Sequence, residues 1–303
     1  MPMKKKAKKN AKADIKSRAV LIIMILLAAA AEALYQYYKA QKLNGDGLTV
    51  HFVDVGQGDC ELICCDGKNV LIDCGEESKA ADVIAYLNKY SVKNLDYIIA
   101  THPHSDHMGS MSRVIEEYSV GEIIMPHLPD KDIPTSRYFE KFLDACDAHK
   151  TKVSEAETGR KLEIGGAEAE IISPNGESYD DVNNYSVGII LNYGMNRFFM
   201  AGDAETLSEK EMLKAGRLRD VDVYKAGHHG SSSSGSAAFL KVIKPEISVI
   251  CCGVNNSYGH PSQKTLKALK KYSTEIYRTD LNGSVVIHSD GTKLTVTPER
   301  ESK

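Results

Sequence analysis

The nonapeptide T-H-P-H-S-D-H-M-G at residues 101–109 places His102, His104, Asp106 and His107 on one loop, directly behind the apolar run LDYIIA. Three imidazoles and a carboxylate this close together suit one or two borderline transition-metal ions, which need nitrogen and oxygen donors converging on one point. A loop at the end of a buried strand can supply that convergence. The loop therefore constrains the chain to a fold that gathers strand ends along one edge of a sheet.

Two more apolar runs end in residues of the same kind. FFMAGDAE carries Asp203, where a carboxylate can bridge two ions, and VYKAGHHGS carries His228 and His229. Taken singly, a strand-ending Asp is commonly a turn residue and a His pair is commonly exposed. Three such ends aimed at one edge fit a site better, because open α/β sheets bind ligands beyond the carboxyl ends of their strands. Elsewhere the pattern agrees with one α/β domain over 47–300. Strands are expected over 48–55, 60–65, 69–75, 95–101, 121–126, 221–227 and 246–253, and helices over 79–90, 112–119, 136–150, 208–216 and 266–273. Hairpins are expected over 161–174 and 187–203 and at the C-terminus, with SSSSGS (231–236) as the one low-complexity linker.

Charge divides the chain. The first 18 residues hold eight Lys/Arg against one Asp, a net +7, and the rest hold 30 basic against 40 acidic residues, a net −10. An acidic body argues against a nonspecific nucleic-acid binder that works through a broad basic surface. Residues 1–18 read instead as a basic cytoplasmic tail, and 19–38 as a transmembrane or signal-anchor helix with tyrosines at its far interface. A cleavable secretory signal fits the same stretch. Both readings put the body outside the cytoplasm, on a single-pass anchor in the cell membrane or secreted. The seven cysteines show no C-x-x-C spacing and read as small core hydrophobes, which sits awkwardly with an oxidising compartment.

The stretches HFVDVGQGDCELI, VLIDCG, THPHSDHMG, FFMAGDAE, VYKAGHHGSSSS and NNSYGHPS, in that order, resemble the metallo-β-lactamase superfamily. Within it they look most like the hydrolase domain of ComEC-type DNA-uptake proteins. The resemblance implies a four-layer αββα sandwich with two divalent ions, Zn2+ or Mn2+, at one edge. It implies His102, His104 and Asp203 around one ion, and Asp106, His107, Asp203 and His229 around the other. The choice of His229 over His228 follows the similar arrangement in phosphorylcholine esterases. Lactamases and glyoxalases of the superfamily take a further histidine from a loop before the bridging Asp. This chain has no His between His149 and His228, and NNYS (183–186) stands there. An open position on the first ion suits phosphoester chemistry better than β-lactam hydrolysis.

The implied function is a metal-dependent phosphodiesterase, a nuclease acting on DNA outside the membrane through a metal-activated hydroxide, with separate DNA-uptake channel proteins as partners. Asp106 and His228 are the candidate catalytic residues, His228 as a donor to developing charge. Asn184, Ser186, Ser231 and His260 are the candidate substrate contacts. A phosphorylcholine esterase-like enzyme acting on envelope headgroups is the alternative, and a noncatalytic binding module on the same fold is a further one. Asp54, Gln57, Asp59 and Asp73 read as residues that fix turns, with Asp73 a candidate partner of a ligand imidazole. Lys225 and Lys264 are local cations near the site, while His51, His127, His149 and His288 read as structural.

Overall fold

A computed structural model of the chain describes residues 18, 20–32, 34, 47–273 and 275–301. It divides into two units, Met1–Leu43 and Asn44–Lys303. In the first, residues 20–32 are helical and exposed. Among the described residues no helix is long and apolar enough to cross a membrane, so the span expected over 19–38 is not seen there. Positions 19, 33 and 35–38 of that span, and all of the basic tail except Arg18, lie outside the described residues.

In the second unit, chain order gives β1 (Leu48–Phe52), β2 (Glu61–Cys65), β3 (Lys68–Ile72), α1 (Ala80–Lys89), β4 (Asn94–Ile99), α2 (Ser105–Met108), α3 (Met111–Glu117) and β5 (Ser119–Met125). There follow α4 (Arg137–His149), β6 (Lys152–Glu155), β7 (Lys161–Ile164), β8 (Ala167–Ser173), β9 (Gly188–Tyr193), β10 (Asn196–Met200), α5 (Thr206–Ala215) and β11 (Val223–Lys225). The chain ends with α6 (Ala237–Ile243), β12 (Ile247–Ile250), α7 (Gln263–Leu269), β13 (Glu275–Arg278), α8 (Thr279–Asn282), β14 (Val285–Ser289) and β15 (Leu294–Pro298).

One sheet has the order β15-β14-β1-β2-β3-β4-β5-β6, the other β13-β12-β11-β10-β9-β8-β7. Each changes sense midway. The first is antiparallel from β15 to β3 and parallel from β3 to β6. The second is antiparallel from β7 to β10 and parallel from β10 to β13. Parallel halves send successive carboxyl termini to the same edge, which is where ligand-bearing loops can meet.

Side-chain alternation decides what each strand face buries. Val50, Ile63, Val70 and Ile99 of the first sheet share one apolar cluster with Ile189, Leu191, Phe198 and Val249 of the second, so the sheets stack face to face. Each such side chain, fully buried, contributes about 1.5–3 kcal/mol. On its outer face the second sheet packs Ile190, Phe199 and Tyr224 with Met212 of α5, Phe239 of α6 and Leu269 of α7. Over the outer face of the first sheet, Tyr86 of α1 lies 3.1 Å from His51 Nδ1, and Val83, Val114 and Phe142 of α1, α3 and α4 are buried. The result is the expected αββα layering. All seven cysteines are buried and unpaired.

The short helices α2 and α8 fall outside the expected elements, and three further elements depart from the expectation. β6 (KVSE) and β13 (EIYR) are short edge strands, the first mostly exposed and the second half-buried, so neither carries a long apolar run. The SSSSGS stretch is not a linker. Ser234 Oγ donates to the Ala204 carbonyl at 2.8 Å, and Ser236 Oγ accepts from Phe239 N to cap α6, a role that serine fills well at helix starts.

Candidate metal centre

The loops after β3, β4, β10, β11 and β12 meet at one edge. Thr101 anchors the first of them, its amide and hydroxyl donating to Asp73 at 2.8 and 2.6 Å. Two glycines allow the close approach. A Cβ on Gly58, at φ 134°, would strike the Asp106 carbonyl, and one on Gly202, at φ 47°, would lie 2.5 Å from Thr101 Oγ1. The His pair is held at unusual cost, since His228 and His229 both sit in the left-handed region at φ 48° and 51°. Strain of this kind, of order 1–3 kcal/mol per residue, persists where surrounding structure enforces it.

Three buried imidazoles are oriented alike. His107 donates from Nδ1 to Asp73 at 2.7 Å. His229 donates from Nδ1 to the Cys251 carbonyl at 3.0 Å, with Asp59 Oδ1 at 3.2 Å. His102 Nδ1 lies 3.1 Å from Thr101 Oγ1, whose own proton goes to Asp73, and 3.3 Å from Ser186 Oγ. Fixing Nδ1 as the donor leaves the Nε2 lone pair of each ring facing the others, the arrangement that metal-binding histidines adopt.

Those Nε2 atoms surround Asp203. His107 and His229 each place Nε2 3.3 Å from Asp203 Oδ2, and His229 Nε2 is 3.2 Å from Asp106 Oδ2. His102 Nε2 is 3.0 Å from His104 Nδ1. Donor atoms of His102, His107 and Asp203 lie within 4.8 Å of one another, as do those of Asp106, His107 and His229, and those of Asp59, Asp203 and His229. His107 Nε2 and Asp203 Oδ1 are buried without a hydrogen-bond partner, while Asp59 Oδ1 lies on the far side of the His229 ring, 3.2 Å from its Nδ1. Buried polar atoms are ordinarily paired. Unpaired nitrogen and carboxylate donors converging in one place are what a divalent ion needs, so the residues fit the ions that the resemblance implies.

Charge is distributed unevenly over the cluster. Burial opposes charge on His107 and His229, yet Asp203 together with Asp73 or Asp59 outweighs it and holds both well above the usual histidine range. His102 and His104 go the other way, lowered first by burial and then by the neighbouring His107. Burial also works against Asp106, but the hydrogen bond from His229 wins and brings its carboxyl to about 2.

The six expected metal ligands are thus gathered in one place. His228 stands beside them, Nε2 3.7 Å from Asp203 Oδ2, with Nδ1 held by Glu205 at 3.1 Å and Ser233 at 3.2 Å. The expected substrate contacts fare differently. His260 lines a cleft of ≈ 310 Å³ with Gln57, His104, Asp106, Tyr138 and Asn183, and the rings of His260 and His228 are 5.4 Å apart. Asn184 instead accepts from Ser208 N at 3.2 Å, away from the lining, and the adjoining Asn183 takes its place. Ser186 sits behind the cluster, accepting from Asp203 N at 3.1 Å. Ser231 is 2.9 Å from Ser233 within its own turn.

Two residues matter more than their sequence positions suggest. Asp59 is fully buried between His107, His229 and Lys225, so it backs the site rather than only fixing a turn. Lys225 is also fully buried; it is paired with Asp59, donates to the Gly202 carbonyl at 3.0 Å and is 3.9 Å from Asp203. Burial would strip its charge, but Asp59 and Asp203 raise its pKa further still. A lysine three residues before a His pair, on an apolar strand, was the available signal. Asp73 fills its expected role beneath His107. His51 is buried against Tyr86 as a structural residue would be, whereas His127 is exposed and pairs with Glu155.

Comparison with known proteins identifies the family and the fold. The chain is 27% identical to ComE operon protein 3 of Bacillus subtilis, over 89% of this chain and 37% of that protein. It is 27% identical to Recombination protein 2 of Haemophilus influenzae, over 83% and 30%, and 25% identical to competence protein ComA of Neisseria gonorrhoeae, over 82% and 33%. The chain thus spans about a third of the length of the curated relatives it matches. Among solved structures, CmlA of Streptomyces venezuelae, a diiron β-hydroxylase, superimposes with a TM-score of 0.56 at 16% identity, over 80% of this chain and 54% of that one, a likeness of fold. The model of the metallo-β-lactamase superfamily matches residues 53–254, a span that contains every ligand-bearing loop from Asp59 to His229, and the chain belongs to that superfamily of metal-dependent hydrolases.

Proposed function

We propose that the protein is a metal-dependent phosphodiesterase, a nuclease acting on DNA outside the membrane. The observation that carries this reading is the cleft itself, with a ligand cluster at its floor and His228, His260 and Asn183 along its wall. In this reading His102, His104 and Asp203 hold one divalent ion, Zn2+ or Mn2+, and Asp106, His107, Asp203 and His229 hold the other. Bound there, such ions supply the Lewis acidity that ionises a water nucleophile and neutralises phosphoryl oxygens.

The chain's own groups do the remaining chemistry. Glu205 accepts from His228 Nδ1 and aims Nε2 toward Asp203 and the cleft, where it donates to charge developing on the phosphate or the leaving oxygen. His260 Nδ1 and Asn183 Oδ1 are buried in the cleft wall without partners and are placed to orient a substrate. Lys225 and Asp59 keep the cluster's underside dry and fixed. The full chain with Mn2+ or Zn2+ is expected to hydrolyse bis(p-nitrophenyl) phosphate and labelled DNA, and His104→Ala to abolish both. Turnover that ignores metals, or none with any metal, overturns the reading; a preference for p-nitrophenyl phosphorylcholine over DNA moves the substrate to envelope headgroups.

The place of action rests on the N-terminal unit. Val20 to Leu27 are 54–64% exposed on a helix preceded in sequence by the +7 tail. An apolar helix exposed all round is matched by lipid, which supports an anchor with the body outside and a separate channel protein as partner. Release of the protein in high salt, without detergent, would argue against it.

A further inference from the structure

One wall of the cleft is unlike the rest of the acidic body. Between Ile247 and Ser273, and on to position 274, the chain contains no Asp or Glu, although the body as a whole is at −10. The segment begins with β12 and runs into the loop that bears Tyr258 and His260, both in the cleft lining. Asn256 braces this loop from within. Its Nδ2 donates to the Gly253 and His260 carbonyls at 2.9 and 2.6 Å, and its Oδ1 accepts from His260 N at 3.0 Å. The brace leaves Tyr258 projecting, 70% exposed, with its ring stacked near His260 at 5.8 Å and 24°.

From there the chain enters α7, which is tied to the metal-bearing turn. Thr265 Oγ1 donates to the Ser231 carbonyl at 2.7 Å, and Lys264 Nζ to the Ser232 carbonyl at 3.0 Å, two and three residues past His229. Lys264 and Lys267 lie on the exposed face of α7, and Lys270 and Lys271 in the turn that closes it; all four are exposed. Some lysines elsewhere on the body, such as Lys68, Lys141 and Lys161, are neutralised by carboxylates, and others, such as Lys210 and Lys293, form no salt bridge among the described residues. Among the described residues these four have no carboxylate within salt-bridge distance. Four uncompensated cations leading away from the cleft, with an exposed aromatic ring at its rim, combine the two elements by which proteins hold unpaired nucleic acid.

We propose that residues 254–271 form a strand-binding wall, with Tyr258 stacking on a base beside the scissile phosphate and Lys264, Lys267, Lys270 and Lys271 contacting phosphates further along. This deepens the phosphodiesterase reading and rests on it for the position of the scissile bond. The substrate class becomes an unpaired oligonucleotide several residues long, not a single headgroup. A short-range wall of this kind works within an acidic body because charges beyond a Debye length of about 8–10 Å are screened at ordinary salt.

The test is the binding of fluorescein-labelled (dT)20 to the full chain in neutral detergent with EDTA, followed by anisotropy over a range of salt concentrations. The basic N-terminal tail is present in every variant, so differences report the wall. Lys267→Gln, Lys270→Gln and Lys271→Gln combined are expected to weaken binding at least tenfold. They should also flatten the slope of log K against log salt by about 2, as expected for three lost single-strand phosphate contacts. The corresponding triple Lys→Arg variant keeps both values, which separates lost charge from a damaged fold. Tyr258→Ala costs about tenfold and Tyr258→Phe restores it. An unchanged affinity and slope in the triple Gln variant overturns the wall. Hydrolysis of methyl p-nitrophenyl phosphate with Mn2+ by the parent chain tests the reading beneath it: turnover there with an overturned wall leaves the phosphodiesterase standing, and no turnover with the wall intact removes the enzyme and keeps the binding surface.

Discussion

The two ends of the cluster hold their histidines in opposite ways. His107 and His229 are backed at Nδ1 by carboxylates, Asp73 at 2.7 Å and Asp59 at 3.2 Å, and their proton affinity is raised despite full burial. His102 is backed by the hydroxyls of Thr101 and Ser186, and burial lowers it. Asp203 raises the two rings most and the backing carboxylates add to it, whereas His102 has only hydroxyls behind it and His107 beside it lowers it further. The backing group is thus one of the things that set how strongly each Nε2 attracts a positive charge. A proton and a divalent ion compete for that lone pair, and the anion-backed end should grip either one more tightly. Asp203, facing both ends, is shared.

Removing the shared residue is the largest test. Asp203→Asn is expected to cost at least a thousandfold in activity and to leave the purified protein with little bound metal by elemental analysis. His104→Ala, at the hydroxyl-backed end, should abolish activity while retaining close to one equivalent. Loss of both ions from His104→Ala would break the asymmetry.

His51 extends the comparison to a place away from the candidate metal centre. It is fully buried, its Nδ1 faces the Tyr86 hydroxyl instead of a carboxylate, and burial, helped by Lys89, lowers its pKa to about 3. A histidine depressed in the folded state binds its proton mainly when unfolded. Its stabilising contribution is therefore present above about pH 6.5 and lost as pH falls toward 3, amounting to something on the order of 4 kcal/mol over the whole window. Urea midpoints should fall with pH in that range, and His51→Gln should flatten the profile; equal slopes in the two proteins would refute the assignment.

The sequence made one half of this comparison easier to read than the other. His102 to His107 lie on one loop, and an apolar strand before them announces a buried origin, so their convergence is local. The backing groups are not local. Asp59 lies 170 residues before His229 and Lys225 lies 166 after Asp59, and only the stacking of two sheets brings them together. Asp59 follows a glycine-rich turn, which disguises a buried anion as a turn residue. The sequence points to Asn184 where the cleft takes Asn183, for a similar reason: a short 3-10 turn over Val182–Tyr185 decides which neighbour faces the cleft, and no periodicity encodes that. Ligand positions are marked by residue type, whereas the groups that tune them are marked only by tertiary contact.

At the anion-backed end, Asp73→Asn and Asp59→Asn each keep the side-chain shape and remove the charge. Each is expected to weaken metal binding tenfold to a hundredfold, read by chelator competition. Asp73 also receives the Thr101 amide and hydroxyl, so a thermal melt separates a loosened loop from a retuned imidazole. Asp59→Asn carries a further consequence, because Lys225 would remain fully buried with its nearest anion gone. Its remaining neighbour, Asp203, would then be drawn toward the lysine and away from the cluster.

The smallest effect belongs to the hydroxyl-backed end and decides whether the comparison holds. Ser186 Oγ lies 3.3 Å from His102 Nδ1 and accepts from the Asp203 amide at 3.1 Å. Ser186→Ala removes a neutral partner of His102, while Thr101 remains at 3.1 Å to keep the same tautomer. A neutral hydrogen bond is worth about 0.5–1.5 kcal/mol, so metal affinity should fall by less than tenfold, with stability lowered by the unpaired amide. If Ser186→Ala costs as much metal affinity as Asp73→Asn, charge at Nδ1 is not what distinguishes the two ends, and the position of Asp203, held by that same hydroxyl, governs both.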